Sequence, residues 1–481
     1  MSRNRLLSLE ALVATIIVAC CVPVAVAAPS LYETVVPILA NRDGLSRVWP
    51  DYWSGEMPFL VYEPEGDALL YTVRTPPAPY GRFDAPSTRV LPQALLDRLY
   101  WHKGVPAGLH GLFDTRYTVG NKRVPAIPQH NSVEETLDFL FHEIFHSYQA
   151  ARFARATTVS TFVDPALITP ELIAMAEVER RLLRQALREK PPQAVRDLAR
   201  QYLAVRSNRE TLMSAEAISL ENERERSEGS AFLVGLQAMV AALDRPTDDV
   251  LRKVEGQLAK PINDFGGGIQ DRMFRWRVYG TGAAIGLLLD RQLVEGWRKR
   301  LEEGRSFSAL LTDTAQFEAI TDRQALAQQA MDRWGYEDLL RKGDRLLGDA
   351  PPSIDEFRAR PAHAIVEMPQ SEMSKVRSSF NAGDLFQLDD NVLLVEDAVY
   401  AAESDRFSVT ARNVDLLIDT RGMMRVTFAL AVLPDLPGVA DGETRMENVS
   451  FEIEGLKVSV DRAVLASRTT GSLLLRILET E

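Results

Sequence analysis

Ser132-Val133-Glu134-Glu135-Thr136-Leu137-Asp138-Phe139-Leu140-Phe141-His142-Glu143-Ile144-Phe145-His146 is the stretch on which the fold turns. Ser132 followed three positions later by Glu135 is the pair that can cap a helix start reciprocally. Leu137, Leu140, Phe141, Ile144 and Phe145 then recur at the spacing of one helical face, so this segment is predicted to be a helix with that face buried. His142 and His146, four apart, are neighbours on its surface. Two imidazoles so placed can share one zinc ion, and Glu143, next to the first, can act as general base toward a water there. Two core histidines could have the same spacing by accident. The chain has only six histidines, however, and two of them flank this glutamate inside an amphipathic helix, which favours a ligand pair.

A tetrahedral catalytic site needs a third protein ligand and an open fourth position. Downstream, Ser227-Glu228-Gly229-Ser230-Ala231-Phe232 offers a carboxylate at the end of a run in which Glu221, Glu223, Glu225 and Glu228 alternate with Arg224 and Arg226. Such a run is ordinarily a solvated helix face. Yet Glu221, Glu225 and Glu228 follow i, i+4, i+7 spacing, and their stripe turns apolar at Phe232. Glu228 is the candidate ligand and Glu225 its alternative; Glu221 or Glu225 can also serve as acceptors for the histidine N–H groups.

These segments resemble the gluzincin metallopeptidases, among them the aminopeptidase N family and the glycyl aminopeptidases. Ser227 to Phe232 is similar to their N-E-G-F-A-Y segment, whose glutamate completes the zinc site, so the resemblance implies His142, His146 and Glu228 as ligands and Zn2+ as cofactor. The glycine after Glu228 is expected to pack closely on the motif helix. Tyr279-Gly280-Thr281-Gly282-Ala283 resembles their Y-x-K-G-A segment, whose tyrosine steadies the tetrahedral intermediate. That implies a catalytic Tyr279, with a core tyrosine beside a helix packed through small residues as the competing reading. Thr281 stands where the lysine would be. The resemblance covers only Leu137 to Asp290, the spacer from His146 to Glu228 is far longer than in the aminopeptidase N family, and the G-x-M-E-N segment that binds a substrate amino terminus is missing. Aminopeptidase specificity therefore does not carry over, and the arrangement is closest to uncharacterised bacterial metallopeptidases with HExxH and EGxA segments.

The implied function is hydrolysis of peptide bonds in a peptide or protein substrate. The competing classes are a zincin-like binding protein with an inactive site and a zinc hydrolase acting on a non-protein amide such as cell-wall peptide. Gln149 is read as a helix-terminal polar contact, with ordering of substrate as its alternative. Arg272, Arg275 and Arg277 read as a solvated basic edge, with a grip on a substrate carboxylate as theirs. His102, His110, His130 and His363 lack partners at ligand spacing and are assigned no metal.

Outward from the motif, the fold class is α+β: a zincin-like helical catalytic domain with an N-terminal sheet region and a C-terminal β-rich domain. Residues 28–130, rich in Pro, Gly and aromatics, contain extended runs such as Pro58 to Tyr62 and Ala68 to Val73, and form the sheet region. Helices are expected over 131–347, one from Pro170 to Lys190 and a continuous one leading through Glu221 to Leu243. Pro351-Pro352 marks a linker over 348–364. Residues 365–481 read as strands, because Phe451, Ile453, Val458 and Val460 alternate with polar residues.

The 481 residues are 46% hydrophobic and 25% charged, an ordinary globular balance, and the net charge of -12 argues against nucleic acid and anionic lipid as partners. Arg3 and Arg5 before an apolar run ending in Ala25-Val26-Ala27 have the anatomy of a secretory signal peptide over 1–27, cleaved before Ala28, with a periplasmic or secreted destination. Ile17-Val18-Ala19-Cys20 resembles a lipobox, and a lipoprotein anchored at Cys20 is the alternative. Both cysteines, Cys20 and Cys21, fall in this leader, so a cleaved chain has neither disulfides nor thiolate ligands. No integral membrane span is expected after cleavage.

Overall fold

The computed structural model describes residues 30–348 and 357–478, except 54–55, 64–65, 85–90, 105, 107–108, 110–115, 155–162, 164–166, 267, 370–375, 382–383, 390–391, 405, 422, 440–441, 454 and 470. The expected leader with Cys20 and Cys21, His110 and residues 349–356 of the expected linker therefore lie outside the described residues. The fold is α+β, with helices and strands both abundant.

The chain enters through a helix, α1 (Leu31–Ala40), where only strands were expected. Its signal is a complete capping box: Ser30 accepts from the Glu33 amide and Glu33 bonds back to the Ser30 amide. Strands β1 (Phe59–Tyr62), β2 (Ala68–Tyr71), β3 (Gly81–Arg82), β4 (Leu99–His102), β5 (Arg116–Val119) and β6 (Lys122–Pro128) follow, in sheet order β3-β4-β2-β1-β6-β5. Pairing is antiparallel except between β1 and β6, where Leu60 lies opposite Ala126.

The pleat sorts side chains onto two faces. Phe59, Val61, Leu69, Tyr71, Leu99 and Ile127 join the main core with the helices. Leu60, Tyr62, Ala68, Leu70, Tyr100 and Ala126 form a second, smaller core beneath. Both faces are covered, which is why β1 and β2 read as unbroken apolar runs.

Strand β6 hands the chain to the motif helix α2 (Val133–Arg152). Ser132 accepts from the Glu135 amide, the half of the capping box that fixes the first turn. Leu137, Leu140, Phe141, Ile144 and Phe145 are fully buried. Phe145 meets Trp49 edge-on at 5.0 Å and Tyr52 at 5.3 Å, so the aromatics of the N-terminal segment clamp the middle of α2.

Helices α3 (Pro170–Arg188) and α4 (Pro192–Glu210) form a hairpin, each with a proline in its first turn, where a missing N–H costs nothing. Next come α5 (Ala215–Arg224), a π turn over Glu225–Gly229, and α6 (Ser230–Ala242), which packs along α2. A second π turn, Arg272–Trp276, precedes α7 (Arg277–Arg291). Further helices continue to Gly348. Among the described residues no helix is long and apolar enough to cross a membrane.

From Ala362 to Ile477 the chain is sheet: eleven strands from β7 (Ala362–Met368) to β17 (Ser472–Ile477), antiparallel except that β17 runs parallel to β7. Their core, with Leu416, Phe428 and Val458 fully buried, shares no residue with the helical one.

Candidate metal centre

Helix α2 and the π turn before α6, far apart in sequence, bring three side chains together. His142 and His146 project from one face of that helix, and Glu228 comes down from the π turn between α5 and α6. The Glu228 Oε2 lies 3.4 Å from His142 Nε2 and 3.3 Å from His146 Nε2, and the two Nε2 atoms are 2.9 Å apart. Two bonds of roughly 2.0–2.1 Å meeting at a tetrahedral angle would set their ligand atoms about 3.3 Å apart. Both carboxylate edges of the triangle fit that figure, and the imidazole edge is tighter. Two ring nitrogens and one carboxylate oxygen are a proper donor set for a borderline cation. They are the one group of three potential ligands that comes together among the described residues.

The π turn explains why Glu228 and Glu225 separate. One extra residue in the helix shifts everything after it by about a hundred degrees around the axis, so Glu228 leaves the stripe set by Glu221 and Glu225. Among the described residues the group that could hold a metal includes Glu228 and neither Glu225 nor Glu221. Glu225, fully buried, accepts from Arg206 at 2.8 and 3.0 Å and from the Thr281 hydroxyl at 2.7 Å. Glu221 pairs with Arg209 at 2.8 Å and with Arg277. Arg277 is consequently buried, not part of a solvated basic edge. Thr281, where a lysine was expected, holds Glu225.

Gly229 also differs from its expectation. It packs on the tyrosine helix rather than on α2: a Cβ on Gly229 would stand 2.7 Å from the Gly282 Cα, and one on Gly282 would stand 2.7 Å from the Glu225 carbonyl oxygen. The glycines of the two segments are thus a single contact, and only hydrogens fit between them.

Tyr279, in the first turn of α7, lays its ring parallel to that of His142, with centroids 5.6 Å apart and planes 3° from parallel. Trp276 at 5.8 Å and Phe232 at 6.2 Å flank it. Burial, then the charge and hydrogen bond of Glu228, push the phenol well above its ordinary pKa, so it stays a donor. Glu143 is half-buried and near enough for its charge to act on both His146 and Tyr279. Burial would depress His146, but the bond and charge of Glu228 outweigh it and lift the imidazole to about 9. The same contacts overcome burial at Glu228 and hold it well below the carboxylate range.

Gln149, in the last turn of α2, makes the polar contacts expected near a helix end, and it is buried rather than open to substrate. It accepts from His146 Nδ1 at 2.7 Å and donates to the Ser227 carbonyl at 2.8 Å and the Ser230 hydroxyl at 2.9 Å. Asp138, one turn before His142, was not singled out in the sequence; burial raises its carboxyl to about 6. Arg275 is exposed, its guanidinium 4.7 Å over the Trp276 ring. His102 bonds the Gly104 carbonyl at 2.7 Å, His363 the Phe357 carbonyl at 3.1 Å, and His130 packs on Phe139.

Compared with known proteins, the chain matches no family model, no curated protein and no solved structure. Its chemistry has to be read from its own geometry.

Proposed function

We propose that this protein is a zincin-like zinc metallopeptidase, exported by its leader, that hydrolyses peptide bonds. The observation that carries the reading is the His142, His146 and Glu228 triangle with Glu143 beside it and Tyr279 across it, assembled from three elements that the motif spacing alone could not have brought together.

His142, His146 and Glu228 would hold the ion, which when bound polarises a carbonyl and acidifies a water. Glu143 takes the proton of the attacking water and passes it to the leaving amine. The Tyr279 hydroxyl donates to the oxygen on which negative charge develops. Phe232 and Trp276 shield that phenol from bulk water, which strengthens its bond to a forming anion.

The test is cleavage of a peptide library by purified protein of measured metal content. Glu143→Gln should retain zinc and lose about 10²–10⁴-fold in rate. Tyr279→Phe should retain zinc and lose roughly 10²–10³-fold, the usual worth of an oxyanion donor. Cleavage at the parental rate by Glu143→Gln overturns the mechanism, and a parental protein that takes up no zinc overturns the ligand set.

A further inference from the structure

We infer that Gln149 is a positioning residue that fixes the tautomer of His146, and that its own orientation is set by the backbone of the turn bearing Glu228. The inference rests on the metal reading above and adds a device to it.

The argument runs through donors and acceptors. The Ser227 carbonyl can only accept. The end of the Gln149 amide facing it at 2.8 Å must therefore be the NH2 group. Ser230 agrees: its hydroxyl hydrogen is directed at the Arg226 carbonyl at 2.5 Å, leaving a lone pair for Gln149 at 2.9 Å. With the NH2 end so placed, the amide oxygen is what meets His146 Nδ1 at 2.7 Å, and an amide oxygen accepts. Nδ1 must then carry the hydrogen. In a neutral imidazole that leaves the lone pair on Nε2, the atom pointing at Glu228 and His142. A swapped amide would place oxygen against the Ser227 carbonyl oxygen, so the alternative tautomer is refused by the backbone.

One side chain thereby couples two ligand-bearing elements. Gln149 belongs to α2 with the histidines; Ser227 precedes Glu228 on the π turn and Ser230 opens α6 directly after it. The partner is a neutral amide, not the carboxylate often found behind a metal-binding histidine, so it orients the ring without adding negative charge.

Zinc affinity by chelator competition tests this, with the visible spectrum of the cobalt-substituted protein as second readout. Gln149→Met keeps the volume and deletes all three bonds; it should weaken zinc binding by about 10–100-fold and alter the cobalt spectrum, because His146 is no longer held. A purely packing role would lower the melting temperature and leave the spectrum unchanged. Gln149→Glu keeps an acceptor for Nδ1 but sets oxygen against Ser227, and should fall between parent and Gln149→Met. Zinc affinity within two-fold of the parent in Gln149→Met, with an unchanged cobalt spectrum, overturns the inference; if that variant does not fold, the same result in Gln149→Leu does so. A parent that binds no zinc is a different result, since it removes the metal reading itself.

Discussion

Two charge clusters lie on opposite sides of the Glu225–Gly229 turn, and their glutamates have opposite fates. On one side Arg206, Arg209 and Arg277 meet Glu179, Glu221 and Glu225, all six almost wholly buried, three cations against three anions. Every carboxylate there is matched by a guanidinium. On the other side Glu228 meets the imidazoles of His142 and His146 and the Tyr279 phenol, none of them a permanent cation. The difference teaches that a buried carboxylate is available to a metal when no protein cation has already claimed it.

The largest expected effect breaks this comparison at Glu225. Glu225→Ala leaves the buried Arg206 with Glu210 at 2.9 Å and the more distant Glu221 at 3.5 Å, but removes its bidentate partner, and losing one partner of a buried pair costs up to about 3–5 kcal/mol. Denaturant unfolding should show that loss. Glu228→Ala should cost far less stability and abolish stoichiometric zinc. If Glu228→Ala keeps its zinc while a folded Glu225→Ala loses it, the two roles are reversed and Glu225 is the ligand.

How much of this was legible follows the same division. The motif helix was readable because Leu137, Leu140, Phe141, Ile144 and Phe145 share one period and a capped start. Glu228 was readable from its short segment but not from its stripe, since a π turn adds a residue without any compositional mark. Arg206, Arg209 and Arg277 could not be read as buried: sequence gives the sign of a charge and is silent on whether its counter-charge waits on another helix. Ser30 and Glu33 carried the same capping signal as Ser132, but a stretch with Pro37 inside it does not read as a helix. Gln149 showed only its spacing of three from His146; its other partners are reached after three more helices.

A smaller effect is expected where the two clusters are held in register. A methyl on Gly282 would stand 2.7 Å from the Glu225 carbonyl oxygen and 2.8 Å from the Gly229 Cα, both backbone atoms that cannot swing aside. Gly282→Ala should therefore push the π turn and α7 apart at a cost of about 1–3 kcal/mol, the usual range for overpacking. Because Glu228 and Tyr279 sit on the two separated elements, turnover should fall along with stability. A variant as stable and as active as the parent would show that the glycine contact is incidental.

The smallest effect separates the clusters by pH, through the metal-free protein. His146 is raised from 6.5 to about 9 by Glu228, so this pair stabilises the fold fully below pH 6.5 and its contribution is lost as pH rises through 9. Between pH 6.5 and 8 only the early part of that loss falls, on the order of 1 kcal/mol by linkage. Asp138, at about 6, has mostly ionised before this window opens. Within the arginine cluster Arg206 and Arg209 are raised above an already high value and Glu221 is held well below its own, so these three should be silent here, while Glu225 is raised by its burial. The metal-free protein should thus melt a few degrees lower at pH 8 than at pH 6.5. Saturating zinc should reverse the slope, because ligand histidines must shed their protons to bind and affinity climbs with pH. His146→Leu should flatten both trends. A metal-free melting temperature that rises between pH 6.5 and 8, or a zinc-loaded one that falls, would place the titrating group elsewhere and remove His146 from the open cluster.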